Sequence, residues 1–243
     1  MNKKKLIHNS TLIILHSYLP QLSLKLLYIL FLSCCSFISK AQTDFEIKEW
    51  TATTTDKPML FYISGDGGFN SFSSDLCSSI HKQGYNVIAL NAKKYFWDKK
   101  TPEQTATDIE NYLIKKIAVQ KNKHVSIIGY SFGADVLPFL LTRFSASLNQ
   151  NVTSAIIMAP SGSTDFEIHW ADMFGNSKKR EMDVVSEMNK IKSTKLIHIS
   201  GDEDLLDESK IILKNYIHEI LPGGHHFDGN IDELTKTILK YTN

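Results

Sequence analysis

Several things are scarce in this sequence. Only three of its 243 residues are cysteine, and Cys34 and Cys35 sit in an apolar stretch near the N-terminus. That leaves Cys77 alone beyond the stretch, in the helical pattern "SDLCSSI". An intramolecular disulfide in the mature chain is therefore excluded, and Cys77 reads as a small core hydrophobe. Neither charge sign is in excess, with 27 Lys and Arg against 26 Asp and Glu, so nothing favours nucleic-acid binding. No repeat, low-complexity tract or Pro/Gly linker interrupts the chain. No apolar run reaches the roughly 20 residues that a membrane-spanning helix needs. No His/Cys/Asp/Glu spacing matches a structural zinc motif, and no metal or cofactor is expected.

The N-terminus has its own character. Lys3, Lys4, Lys5 and Lys25 precede "LLYILFLSCCSFIS", and Ser39-Lys40-Ala41 follows as a small-x-small site. This reads as a secretory signal over residues 1–41, with an uncleaved anchor or lipidation at Cys34 or Cys35 as alternatives. Cleavage after Ala41 removes five lysines and no acid, leaving 22 basic residues against 26 acidic. Residues 42–243 form one mildly acidic domain, long enough to bury a core without staples.

Within that domain, short β-rich runs alternate with amphipathic stretches. "PMLFYIS" (58–64), "NVIAL" (86–90), "HVSIIGY" (124–130), "SAIIMAP" (154–160), "KLIHIS" (195–200) and "HEIL" (218–221) read as strands. Helices are expected over 70–83, over 101–120 with Thr101 as N-cap and Pro102 first, after residue 133, and over 230–241. This alternation predicts an α/β fold with a mostly parallel sheet covered by helices on both faces. Residues 161–194 are less regular and are expected to form a small cap or insertion.

The chemistry centres on "GYSFGAD" (129–135), a Gly-x-Ser-x-Gly between a strand and a helix. In that context the turn exposes a serine hydroxyl and aims a helix N-terminus at it, so Ser131 is the candidate nucleophile. An acid and then a histidine should follow it in the chain. The acid comes from "HISGDEDLLDE", as Asp204 or its alternate Asp202. The base comes from "LPGGHHFDG", as His225 or its alternate His226. An oxyanion needs backbone N–H donors. Phe132 is one; the glycine-rich "SGDGGFN" (64–70) offers Asp66 or its alternate Gly67, with the Asp66 carboxylate expected to turn away. Asp135, Asp165 and Trp170 are candidate substrate-binding residues, with Phe96 and Trp97 as a further apolar lip.

"SGDGGF", "YFWDKKTPEQTATD", "GYSFGADVLP", "DFEIHWADMFG" and "LPGGHHFDG" together resemble the family of the bacterial virulence protein VirJ and the VirJ-like domain of AcvB, within the α/β-hydrolase superfamily. The resemblance implies an α/β-hydrolase fold and a periplasmic or secreted serine hydrolase. It implies cleavage of the aminoacyl ester of an aminoacylated phospholipid such as lysyl-phosphatidylglycerol, met by peripheral membrane contact. It also implies a link to type IV secretion, with secretion-system or secreted-protein partners. A general carboxylesterase or thioesterase, and a non-catalytic periplasmic adaptor or chaperone, remain alternatives. The domain is expected to be a monomer.

Overall fold

The computed structural model describes residues 45–52, 56–169, 179–204 and 206–242. The signal or anchor over residues 1–41, with Cys34 and Cys35, lies outside the described residues, as does Trp170.

Nine strands are described: β1 (Ile47–Trp50), β2 (Met59–Ile63), β3 (Val87–Leu90), β4 (Val125–Tyr130), β5 (Val152–Met158), β6 (Ser163–Thr164), β7 (Met182–Asp183), β8 (Leu196–Gly201) and β9 (Tyr216–Leu221). The helices are α1 (Ser71–Lys82), α2 (Ala92–Tyr95), α3 (Pro102–Val119), α4 (Phe132–Leu141), α5 (Ala146–Asn151), α6 (Val184–Met188) and α7 (Ile231–Leu239). Seven strands form one sheet in the order β1-β3-β2-β4-β5-β8-β9. All neighbours in it are parallel except β1 and β3. The predicted fold class is therefore observed, with an antiparallel edge strand that the sequence reading missed. β1 lacks the continuous apolar run that marks the others: its burial pattern has two exposed residues between half-buried ends.

The central strands are buried on both faces, which is why they read as unbroken apolar runs. Met59, Phe61 and Ile63 point into one core layer, and Leu60 and Tyr62 into the other. Cys77 is buried in the second layer, as expected.

The helix ends are capped, at Thr101 as predicted and at Asn70, so that α1 starts one residue inside the expected helix. The Asn70 side chain accepts from the Ser73 N–H at 2.9 Å to open α1, and Gly84 ends it at φ +85°. The Thr101 hydroxyl accepts from the Gln104 N–H at 3.1 Å, with Pro102 in the first turn of α3. The short α2 and α5 escaped the sequence reading, because four and six residues carry too little periodicity. Between residues 161 and 194 the structure shows a two-stranded β6–β7 ribbon and α6; residues 170–178 lie outside the described residues.

The chain leaves β2 for β3 on one side, and leaves β4 for β5, β8 and β9 on the other. Loops at the C-terminal ends of β2 and β4 therefore diverge, opening a crevice where ligands bind in open α/β sheets.

Candidate active site

Ser131 sits at the end of β4 with φ 52° and ψ −119°, a strained conformation for a residue with a β-carbon. Its surroundings hold it there. The Ser131 N–H donates to the Met158 carbonyl at 2.9 Å, and its own carbonyl accepts from Ala134 and Asp135 at 2.8 and 3.0 Å. Both motif glycines are sterically required. A β-carbon on Gly129 would lie 2.3 Å from the Gly133 carbonyl oxygen, and one on Gly133 would lie 2.2 Å from that of Ile63. β4, α4 and β2 are locked together at this point.

The base loop follows β9. His225 Nε2 lies 2.9 Å from Ser131 Oγ. The Tyr130 hydroxyl donates to the His225 carbonyl at 3.2 Å, tying the loop to the residue before the serine. The doubled glycine has separate duties. Gly223 adopts φ +94°, and a β-carbon on Gly224 would meet the Glu203 carboxylate at 2.8 Å. Where the acid loop meets this one, a β-carbon on Gly201 would strike the Gly223 carbonyl oxygen at 2.1 Å.

The two candidate acids are separated by geometry. Asp204 Oδ1 lies 4.0 Å from His225 Nδ1, while its Oδ2 accepts from the Gly201 N–H at 2.7 Å. Asp202 instead accepts from the Gly223 N–H at 3.0 Å and so pins the base loop. The candidate bases separate as well. His226 packs edge-on against Phe72 and Tyr130, beside the site. Burial holds the His225 imidazole below its ordinary value; the charges of Asp204 and Asp66 oppose this, and His226 adds to it.

The glycine-rich turn after β2 lies against Ser131: a β-carbon on Gly65 would come 3.2 Å from Ser131 Cβ. The turn closes with a Gly68 N–H bond to the Gly65 carbonyl at 3.0 Å. Phe132 opens α4, where an N–H has no acceptor within the helix. Asp66 lines the same cavity as Ser131 and His225, of about 610 Å³, and Gly67 lines another. The Asp66 charge acts on Tyr130, Asp135 and His225.

Asp135 and Asp165 also line that cavity, but both are engaged. Asp135 is buried and accepts from the Ser161 N–H and hydroxyl at 2.7 and 2.5 Å. Burial pushes its carboxyl up to about 7. Asp165 pairs with His169 Nε2 at 2.7 Å. Phe96 is fully buried, its ring edge-on to Phe132 at 5.0 Å, whereas Trp97 is exposed.

The family profile described as "Bacterial virulence protein (VirJ)" matches residues 56–243. The chain belongs to this family. No curated protein matches it. Among solved structures, Est1E from Butyrivibrio proteoclasticus with bound ferulic acid superposes with a TM-score of 0.58 at 14% identity, covering 82% of this chain and 97% of that one. A lipase-esterase related protein from Clostridium acetobutylicum gives 0.56 at 16% identity, over 80% and 99%. MenH from S. aureus gives 0.55 at 12% identity, over 80% and 97%. At such identities the likeness shows the fold alone, and that fold is the α/β-hydrolase one. In this VirJ family member, Ser131, His225 and Asp204 come from the ends of β4, β9 and β8, a convergence that only the parallel sheet brings about.

Proposed function

We propose that the chain is a serine ester hydrolase, with Ser131 as nucleophile, His225 as general base and Asp204 as the residue that orients the imidazole. The observation that carries this is the 2.9 Å contact between His225 Nε2 and a serine hydroxyl held on a strained turn. Ser131 Oγ attacks the ester carbonyl carbon and its proton passes to His225 Nε2. The N–H groups of Phe132 and of Asp66, or Gly67 in its place, hold the oxyanion. Collapse expels the alcohol, which takes the proton from His225. Water, activated by the same imidazole, then releases the acid from Ser131.

The substrate we propose is an aminoacylated phospholipid such as lysyl-phosphatidylglycerol, met outside the cytoplasm after export by the N-terminal signal. Two features support it. Beyond the engaged Asp135 and Asp165, the carboxylates of Asp66, Glu167 and Asp183 line the cavity that holds Ser131, which suits a cationic aminoacyl group. A second cavity of about 640 Å³, reached by Gly67 and Gly68 of the same turn, is lined by Lys93, Lys94, Lys100 and Trp97 against Glu46, which pairs with Lys94 at 2.7 Å, and Asp98; the cationic excess suits an anionic lipid headgroup near an apolar surface. Purified protein mixed with lysyl-phosphatidylglycerol vesicles is expected to release lysine and phosphatidylglycerol, read by mass spectrometry. Turnover of short p-nitrophenyl esters with the lipid left intact would instead favour a general esterase. No cleavage of either, with no fluorophosphonate labelling, would favour an adaptor, including one that serves secretion.

Two expectations concern the acid and the base. Asp204→Asn should lower kcat on the order of 10³-fold, because an amide facing Nδ1 favours the wrong imidazole tautomer. Asp202→Asn keeps an oxygen for the Gly223 N–H and should stay near wild type in the same assay. Because burial depresses His225, the acidic limb of kcat/KM should fall below the ordinary imidazole value, near 6.5, with activity level above it. His226→Ala removes a charge that depresses His225 and should move that limb upward in a pH–rate profile.

A further inference from the structure

Away from Ser131, β8 and β9 bring two histidines side by side. His198 and His218 are paired in the parallel register, and their rings stack at 4.6 Å with 10° between planes. Both direct Nδ1 at one carboxylate: His198 lies 2.8 Å from Glu208 Oε1, and His218 lies 2.9 Å from Glu208 Oε2. The Tyr216 hydroxyl is 2.8 Å from His198 Nδ1 and 3.1 Å from Glu208 Oε1. The donor atoms of the two histidines and Glu208 all lie within 4.8 Å of one another. No short spacing motif shows this group in the sequence, because it takes two strands and the loop between them to assemble it.

We propose that His198, His218 and Glu208 form a site for a divalent transition-metal ion of the zinc class, with Tyr216 or water as a fourth donor. Two imidazoles and one carboxylate are a donor set of borderline softness, which suits zinc and its neighbours rather than calcium or magnesium. The two histidines stand on paired strands, which fixes their backbones while the rings can still turn. Glu208 stands on a short 3-10 turn, Glu208–Lys210, in the connecting loop. Donors around a tetrahedral zinc at about 2.0–2.1 Å stand about 3.3 Å apart, so the carboxylate oxygens, now 2.8 and 2.9 Å from the two Nδ1 atoms, must withdraw by about half an ångström, and the imidazoles, stacked at 4.6 Å, must tilt toward each other. On binding, each neutral imidazole offers its Nδ1 lone pair, the proton it held there being carried on Nε2 instead, and metal–ligand bonds replace the hydrogen bonds to the carboxylate. The outer nitrogen of His218 already has a partner, Ser200 Oγ at 2.7 Å, the kind of contact that orients a ligating histidine.

The placement gives such an ion a local consequence. Glu208 lies four residues beyond Asp204 on the same loop, so a metal bridging Glu208 to β8 and β9 clasps the segment that carries the acid.

The test uses the full protein, stripped with chelator and titrated with Zn²⁺ by calorimetry, with metal content measured after dialysis. One equivalent is expected to bind, with a rise in Tm. His218→Ala and Glu208→Gln, both at partly exposed positions, should lose that equivalent or weaken it about 100-fold while circular dichroism shows them folded. Co²⁺ in place of Zn²⁺ should give the visible absorption of a four-coordinate ion in the wild type alone. The proposal is overturned if the wild type takes up no metal, or if both variants bind as the wild type does, which would place any metal elsewhere, such as at His225 and His226. It is equally overturned if the variants lose stability to the same extent with chelator and with Zn²⁺, which would make the cluster a hydrogen-bonded support.

Discussion

Ser131→Ala is expected to abolish ester cleavage, lowering kcat by about 10⁴–10⁶-fold, and to eliminate labelling by a fluorophosphonate probe. The size follows from what is removed. Without Oγ the acyl-enzyme route is closed, and only binding and oxyanion stabilisation of direct water attack remain. The fold should persist. Alanine keeps the β-carbon and both backbone interactions, with the Met158 carbonyl and with the first turn of α4. Ser131→Gly makes a sharper companion. Glycine is at ease at φ 52°, so it should be as inactive as the alanine variant yet more stable by about 1 kcal/mol in chemical denaturation. Cleavage by Ser131→Ala at a rate close to wild type would remove Ser131 from the chemistry.

Gly133→Ala is expected to cost about 3 kcal/mol or more, a fall in Tm of about 6–12 °C for a domain of this size. The new methyl would stand 2.2 Å from the Ile63 carbonyl oxygen and 2.8 Å from that of Ser64. Neither can retreat easily. Ile63 ends β2, which is hydrogen-bonded on both sides, to β3 and β4. The Ser64 hydroxyl is held by the Ala92 N–H at 3.0 Å. Relief would have to come from α4, whose residues from Gly133 to Leu141 are all buried. Any such shift also moves Ser131 and the Phe132 N–H, so activity should fall further than stability alone explains. Gly67→Ala is the control. Its methyl would meet only the Asn70 side-chain nitrogen, at 3.2 Å, and thermal unfolding should barely change. A Gly133→Ala protein as stable as wild type would mean that β2 and α4 have slack.

Both substitutions fall in the elbow, the part of the site that was readable locally. The elbow is a local steric device, so glycine, serine and glycine between a strand and a helix announce it within five residues. The order of serine, acid and histidine was readable too, since it follows from the order of the strand ends. The choice within each pair was not. Asp202 and Asp204 stand two residues apart, as neighbours on one turn, and nothing local says which faces the imidazole. That depends on the Gly201–Asp204 turn and on how closely the base loop packs over it. His225 and His226 differ in the same way: one meets Ser131, the other packs on Phe72.

Other parts were hidden for different reasons. β1 pairs at an edge and is only half buried, so it carries no apolar run. Asp135 reads locally as an ordinary acid in a helix's first turn; its burial and its hold on Ser161 come from a loop 26 residues away. The His198–Glu208–His218 group has no motif spacing because its register is that of β8 against β9.

By itself, the sequence determined the alternation of strands and helices, the capped ends of the longer helices, the elbow at Ser131 and the two short segments that carry the candidate acids and bases. These are properties of backbone sterics and apolar periodicity over a few residues. Only the tertiary structure decided that Asp204 faces the His225 imidazole, that His225 rather than His226 meets Ser131, that Asp66 lines the cavity, and that two strand histidines share one carboxylate. Those facts rest on the register and order of strands far apart in the chain, set by packing both faces of the sheet at once.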